Sequence, residues 1–287
     1  MRDLIDTHFH LDFYKNHKQV YKKINELHQY TLCMTNSPEI YQECQKLYFN
    51  TKYIKFALGF NPKANNSRDS FTNFINIFKG AEYIGEVGLD FSKKYKDKIE
   101  EQKQYFDIIV QLCSNKNKLL SVHIRNAEDS AIQIMEKYKL KKCIIHWFTG
   151  NENQIKKLID LGCYFSINAN MISSTNKNLL LLIPKDKILI ESDGPFTNVN
   201  GKKYEPTLLK QQYNIISNFF NEPELTEIVY RNFNNILTIE WKVGISPTFW
   251  LIIKTIHRNL KPIYKSISII LLIPIIAIIQ KIIIKFM

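Results

Sequence analysis

Six side chains of the types that bind metal ions in proteins are spread over the first 193 residues of this 287-residue chain. Two of them, His8 and His10, are separated by one residue, so on an extended segment both imidazoles point to the same face. Imidazole with carboxylate suits Zn²⁺ and accepts Mn²⁺, whereas carboxylate-rich sites with bound water suit Mg²⁺. The candidate ligands are His8, His10, Glu86, His123, His146 and Asp193.

Together these side chains could bind two divalent ions. His8 and His10 could hold one ion, and His123 and His146 could hold a second. Glu86 could bridge the ions because one carboxylate has two oxygens. Two ions a few ångströms apart stabilise both the attacking and the leaving oxygen of a phosphoryl displacement. The residue types therefore predict metal-assisted hydrolysis at phosphorus.

The elements that must position these ligands are short apolar runs that alternate with longer amphipathic stretches. Runs that are apolar throughout are typical of strands buried on both faces of a parallel sheet. Eight of them predict a (β/α)8 TIM-type barrel. A doubly wound open sheet is the alternative, although no Gly-rich phosphate loop follows the first run. The predicted strands are Leu4–Ile5, Tyr30–Thr35, Tyr53–Leu58, Tyr83–Val87, Leu119–Ile124, Lys142–Phe148, Cys163–Asn168 and Lys187–Glu191.

The candidate ligands fall where these predicted strands end. In a barrel the carboxyl ends of all strands open into one mouth, where barrel enzymes keep their chemistry. A single histidine in a strand is more often a core or surface residue than a ligand, but a whole set at strand ends favours a shared site. Glu191, two residues before Asp193, is left open as an interior or a supporting carboxylate.

Net charge and cysteine content limit the classes of protein to which the chain can belong. The formal net charge is +12; residues 245–287 contain six basic and no acidic residues, and residues 1–244 still carry +6. That balance suits a polyanionic partner. Five cysteines without CxxC spacing argue against a disulfide framework or a zinc ribbon. The N-terminus lacks a basic region followed by an apolar core, so cytoplasmic residence is expected.

Five segments in this order resemble the motifs of the TatD family of metal-dependent deoxyribonucleases, within the amidohydrolase-like barrels. The resemblance covers residues 1 to about 240. Each motif alone would be weak, but the five together in this order and spacing are specific for the family. The segments are Ile5–Asp12, Ile84–Asp90, Val122–Ala127, His146–Gly150 and Glu191–Pro195.

The resemblance implies two divalent ions, Mg²⁺, Mn²⁺ or Zn²⁺, and hydrolysis of DNA phosphodiester bonds, often from 3′ ends. It implies that His8, His10 and Asp193 hold one ion and that His123 and His146 hold the other, with Glu86 as the bridge. Asp193 would also take a proton from the attacking water. Single-stranded DNA or 3′ ends are the expected substrates.

The expected substrate contacts are Asn61, Arg125 and Lys202. The family usually has His at the position of Asn61, and Asn can donate a hydrogen bond but cannot protonate a leaving group. Arg125 follows His123, and its planar fork fits a phosphate oxygen. Lys202 lies in a basic loop after the last strand, and a solvated surface position is an equal alternative. Phe196 and two other aromatic residues could stack on bases or simply wall the site.

Three further segments look like QatD, the TatD-like nuclease of a bacterial anti-phage system. They are Ala57–Pro62, His146–Phe148 and Ser166–Met171. This resemblance implies a role in antiviral defence, with other proteins of such a system as partners. Two other functions stay open: an amidohydrolase-like deacylase or esterase on a small or tRNA-linked substrate, and a non-catalytic metal-binding subunit.

A hydrophobic, basic extension at 245–287 follows the barrel predicted for 1–244. Its longest uncharged run is Ser266–Gln280, and Ile263–Ile284 reaches a marginal membrane span if its lysines snorkel. Pro274 would kink a helix there. A membrane anchor, an amphipathic or partner-docked helix, and a non-functional extension all remain open.

Overall fold

The structure is a computed structural model that describes residues 3–48, 51–64 and 66–239. Within these residues, the helices are all too short or too polar to cross a membrane. The predicted extension at 245–287, its boundary near 244 and its possible membrane contact lie outside the described residues.

Eight parallel strands form one sheet in which each strand pairs with the next along the chain. Backbone hydrogen bonds then join the first strand to the segment after the last: Asp193 N donates to His8 O at 2.9 Å, and His10 N donates to Gly194 O at 2.9 Å. The predicted (β/α)8 barrel is confirmed. The strands are β1 Ile5–Phe9, β2 Tyr30–Cys33, β3 Ile54–Phe60, β4 Tyr83–Asp90, β5 Leu119–Arg125, β6 Cys143–His146, β7 Tyr164–Ile167 and β8 Ile188–Ile190.

Helices connect the strands and pack their apolar faces on the barrel. Local sequence sets their ends: Ser37 caps α2 by accepting a hydrogen bond from Ile40 N, and Pro38 suits its first turn. After β7 the connection is a single short helical turn followed by 3₁₀ turns. The helices are α1 His17–Glu26, α2 Pro38–Leu47, α3 Arg68–Phe78, α4 Ile99–Lys116, α5 Glu128–Tyr138, α6 Glu152–Asp160, α7 Ala169–Ile172, α8 Leu209–Phe220 and α9 Leu225–Thr238.

Two strands continue three or more residues beyond the ends that the sequence pattern predicts. β1 continues to Phe9, so His8 lies inside it, and β4 continues to Asp90, so Glu86 lies within the strand rather than at its end. The pairing of β4 with β5 shifts register between Ile84 and Val87. Such irregularities bend a strand and redirect a side chain, and here the redirected residue is Glu86.

Gly88 keeps β4 close to β5. Its φ is +146°, a conformation that L side chains rarely adopt. A Cβ atom at this position would lie 1.9 Å from His123 O. The glycine therefore allows the strand that carries Glu86 to approach the strand that carries His123.

Candidate metal centre

His8 in β1 and His10 just after it point to the same side of the chain. Their Nε2 atoms are 3.2 Å apart, and both side chains are buried. The Nδ1 atom of His8 is 3.1 Å from Ser121 Oγ on β5, which fixes the orientation of the ring. The Nε2 atoms of both rings are therefore directed toward the other candidate ligands.

Glu86 lies between two groups of histidines. Its Oε2 is 3.4 Å from His10 Nε2 and 3.9 Å from His8 Nε2. Its Oε1 is 3.0 Å from His123 Nδ1, yet this buried oxygen has no hydrogen-bond partner among the described residues. Two ligand atoms that approach without a hydrogen bond fit a shared ion, since each would bind it at about 2.0–2.2 Å.

His123 and His146 are direct neighbours in the pairing of β5 with β6. His123 directs its Nε2 to Asp90 Oδ2 at 3.2 Å, and His146 directs its Nδ1 to Glu191 Oε2 at 2.8 Å. Carboxylates of this kind fix the tautomer and orientation of a metal-binding histidine. They leave Nδ1 of His123 and Nε2 of His146 for an ion.

Asp193 lies three residues after the end of β8, and it adopts a left-handed backbone conformation with φ +49°. Its Oδ1 lies 3.6 Å from His10 Nε2 and 3.9 Å from His8 Nε2. Left-handed conformations are uncommon outside glycine, and at functional sites they often serve to direct a side chain.

All six predicted ligands meet at the C-terminal mouth of the barrel. Their ligand atoms fall into overlapping groups, in each of which the atoms lie within 4.8 Å of one another. His8, Glu86 and His146 are each shared between two groups. The groups are His8, His146 and Asp193; His8, His10 and Glu86; and Glu86, His123 and His146.

Burial sets the protonation states of two of the four candidate histidines. It lowers the pKa of His146 to about 4 and the pKa of His8 well below its usual range. Both imidazoles are therefore neutral at pH 7, the form that binds metal ions.

The carboxylates respond to burial in different ways. Burial raises the pKa of Asp193 to about 6. Burial alone would also raise the pKa of Glu86, but the Lys63 ammonium and the neighbouring imidazoles of His10 and His123 hold it well below its usual range. Glu86 is therefore ionised at neutral pH and can bind a cation.

The three predicted substrate contacts lie in different environments. Asn61 is buried and donates from Nδ2 to Glu86 Oε2 at 2.5 Å and to Asn36 Oδ1 at 2.6 Å. It therefore holds a candidate ligand, and its contact with substrate stays a prediction. Arg125 is exposed at the end of β5, and Lys202 is exposed in a hairpin of two short strands, β9 Asn198–Val199 and β10 Lys202–Lys203.

Sequence reasoning missed two residues of the site and left a third open. Lys63 Nζ lies 3.8 Å from Glu86 Oε1, and Asp90 holds His123. Glu191 accepts hydrogen bonds from Ser166 and Asn168 as well as contacting His146, so it is a supporting carboxylate. Asp90 carried a signal, because it ends the motif segment Ile84–Asp90 that also contains Glu86; nothing marked Lys63.

Substitution of Asp90 is expected to weaken metal binding. Asp90→Asn keeps an oxygen that can accept from His123 Nε2 but removes the charge, and supporting carboxylates of this kind are worth about 10- to 100-fold in metal affinity. Competition with a chromophoric chelator measures the loss. The exposed Asp129 on α5 provides the control Asp129→Asn, and equal affinities in the two variants would contradict the assignment.

The sequence is similar to one protein-family model and to known proteins of two bacteria. A family model described as "TatD related DNase" matches residues 5–238. The chain is 30% identical over 238 residues to an uncharacterized metal-dependent hydrolase of Buchnera aphidicola, covering 72% of this chain and 87% of that protein. It is 30% identical over 165 residues to the 3′-5′ ssDNA/RNA exonuclease TatD of Escherichia coli K12, covering 54% of this chain and 63% of that one.

A solved structure shares the fold. The crystal structure of YJJV, a TatD homolog from Escherichia coli, superposes with a TM-score of 0.73 at 19% sequence identity. The match covers 83% of this chain and 98% of that one. The likeness at this level of identity concerns the barrel architecture.

Proposed function

Because the chain belongs to the family of TatD-related DNases and is a metal-dependent hydrolase, we propose that it hydrolyses DNA phosphodiester bonds with two divalent ions. The observation that carries the proposal is Glu86, whose two oxygens face different histidines, His10 on one side and His123 on the other. A carboxylate in this position suits a bridge between two ions.

In this proposal His8, His10 and Asp193 would hold one ion, His123 and His146 would hold the other, and Glu86 would serve both. Bound divalent ions would lower the pKa of a water and neutralise charge on the phosphate in the transition state. The mixture of imidazoles and carboxylates accepts Zn²⁺ and Mn²⁺, and Mg²⁺ is the third candidate.

We assign Asp193 the role of proton acceptor. Its pKa, raised to about 6 by burial, leaves the carboxylate ionised at pH 7 yet more basic than an exposed aspartate. A general base works best when its pKa is near the operating pH. Asp193 would take the proton of the attacking water.

Positive side chains at the mouth would hold the phosphate. Arg125 is exposed at the end of β5 and can bind two phosphate oxygens through its planar guanidinium. Lys202 lies on the hairpin after β8 and would contact the DNA backbone further along. Asn61 cannot supply a proton to the leaving oxygen, and its contact with Glu86 suits a supporting role.

The substrate we propose is single-stranded DNA, degraded from the 3′ end. Support comes from the name of the Escherichia coli relative, a 3′-5′ ssDNA/RNA exonuclease, and from the net charge of +12. The test incubates the full chain with 5′-labelled single-stranded DNA and with Mg²⁺, Mn²⁺ or Zn²⁺. We expect a ladder of shortened labelled products that EDTA abolishes.

Three controls define that experiment. Blunt duplex DNA should be cut more slowly, and RNA of the same sequence measures sugar selectivity. DNA labelled at the 3′ end should release a mononucleotide first. No cleavage of any nucleic acid by the metal-loaded chain would overturn the proposed function.

Substitution of Lys63 is expected to raise the affinity for metal ions but to lower the rate of hydrolysis. Its ammonium, 3.8 Å from Glu86 Oε1, repels a cation bound there, so Lys63→Met is expected to bind Mn²⁺ more tightly. The same side chain, about 40% exposed, can reach a phosphate oxygen, so hydrolysis should fall about tenfold, the value of one hydrogen bond to a charged group. Calorimetric titration with Mn²⁺ and steady-state kinetics measure the two effects.

A matched control for this variant is Lys210→Met, which removes an exposed lysine from α8. It should leave both metal affinity and rate unchanged. If Lys63→Met weakened metal binding, the side chain would be a structural support for Glu86 rather than a contact for phosphate.

We also propose a role in anti-phage defence, together with other proteins. The support is the likeness of the segments around Asn61, His146 and Asn168 to QatD. Cells that carry the gene with its genomic neighbours should resist phage infection, and replacing the chain by Asp193→Asn should remove that resistance. Equal plaque counts in the two strains would contradict the role.

A further inference from the structure

Two exposed phenylalanines contact each other at the mouth of the barrel. Phe13 is 49% exposed and Phe196 is 51% exposed, and in the described part of the chain no other phenylalanine is as open to solvent. Their ring centroids are 4.9 Å apart at an interplanar angle of 69°. Large aromatic side chains are usually buried because each can remove considerable apolar area from water. Such a pair on the surface suits a ligand with an apolar face.

Both phenylalanines also contact a candidate metal ligand. The His10 ring centroid lies 5.6 Å from that of Phe13 and 5.4 Å from that of Phe196. Phe13 ends the 3₁₀ turn that follows β1, and Phe196 lies three residues after Asp193. The chain segments that carry His10 and Asp193 therefore also place the aromatic pair at the edge of the metal centre.

We propose that Phe13 and Phe196 form a stacking site for one unpaired nucleobase, that of the nucleotide whose phosphodiester bond is cut. This inference rests on the proposed nuclease function and names how that site recognises its substrate. A nucleobase has the flat π-face that stacks on exposed aromatic rings. A base held beside His10 would place the sugar and phosphate attached to it close to the candidate metal centre.

The stacking site selects unpaired bases. Within a duplex both faces of an internal base are covered by its neighbours, so the base must leave the stack before an aromatic ring can contact it. Stacking tolerates all four bases because each has a π-face. The pair therefore predicts a preference for single strands or frayed ends with little preference for sequence.

The experiment combines changes in the protein with changes in the DNA. The protein is the full chain or the double variant Phe13→Leu with Phe196→Leu, which keeps apolar side chains but removes the rings. The DNA is a single strand with a normal 3′-terminal nucleotide or with an abasic one. In the original chain, loss of the base should lower kcat/KM about tenfold, in line with the cost of losing one stacked base. In the double variant it should have little further effect.

A binding measurement reports stacking without hydrolysis. In the Asp193→Asn background loaded with Mn²⁺, a 3′-terminal 2-aminopurine should lose fluorescence on binding, because stacking quenches it. Adding Phe13→Leu and Phe196→Leu should restore the fluorescence of the bound strand. Ile108→Ala on α4, another exposed apolar residue, serves as the matched control and should change neither quenching nor kcat/KM.

The outcomes separate this inference from the function on which it rests. If the original chain neither cuts nor binds single-stranded DNA, the nuclease proposal fails. If it cuts DNA but the double variant discriminates against the abasic strand as strongly as the original, the stacking site is wrong and the nuclease proposal stands. Similar losses from removing the rings or the base, without additivity, support the site.

Discussion

Asp193→Asn is expected to retain the fold and to lower the rate of phosphodiester hydrolysis by about a hundred- to ten-thousandfold, the usual contribution of a general base. The amide cannot accept a proton from water at neutral pH. It is also a poorer ligand, since it carries no charge. The backbone should hold its position, because Asn tolerates the left-handed conformation found at Asp193 with φ +49°.

The measurement for this variant compares initial rates at saturating Mn²⁺. Under this condition a lower rate reflects slower hydrolysis and not weaker metal binding. Circular dichroism and the thermal midpoint should match the original protein, since Asn fills the same space. Asp186→Asn, in the turn before the opposite end of β8, is the matched control and should keep full activity. Full activity in Asp193→Asn would rule out the assigned proton acceptor.

Glu86→Gln is expected to remove metal-dependent stabilisation together with activity. The amide oxygen can still accept from Asn61 Nδ2, but the charge that would contact both ions is lost. Ions that bind only the folded chain stabilise it by about 2.7 kcal/mol when their concentration is one hundred times Kd. The increase in thermal midpoint on adding Mn²⁺ or Zn²⁺ should therefore largely disappear.

Thermal unfolding with and without each ion measures this effect independently of any substrate. The control is Glu82→Gln, an exposed residue just before β4, which should keep the full metal-dependent shift. A metal-dependent shift of normal size in Glu86→Gln would show that Glu86 is not a ligand of the stabilising ion.

The barrel was predictable because short apolar runs alternate regularly with longer amphipathic stretches along the sequence. Residue types at the strand ends were enough to collect His8, His123 and Asp193 at one mouth, since parallel strands carry their carboxyl ends to one side. The extension of β4 past Val87 was not predictable, because the pattern of apolar residues does not show where pairing shifts register.

Interactions between side chains were harder to predict than elements. Asn61 was expected beside substrate, and its direction toward Glu86 depends on the packing of β3 against β4. Lys63 lies on an exposed segment whose sequence resembles any solvated loop. Phe13 follows the first strand and Phe196 follows the last. Only closure of the barrel brings these two residues together.

The hydrogen bonds between the first strand and the residues after the last strand also bear on how the protein is made. His8 leaves the ribosome early and Asp193 late, yet the backbone of each donates to or accepts from the other. A growing chain therefore has no complete metal centre until eight strands have been synthesised. Under the proposed nuclease activity, the order of synthesis keeps the unfinished polypeptide inert toward DNA.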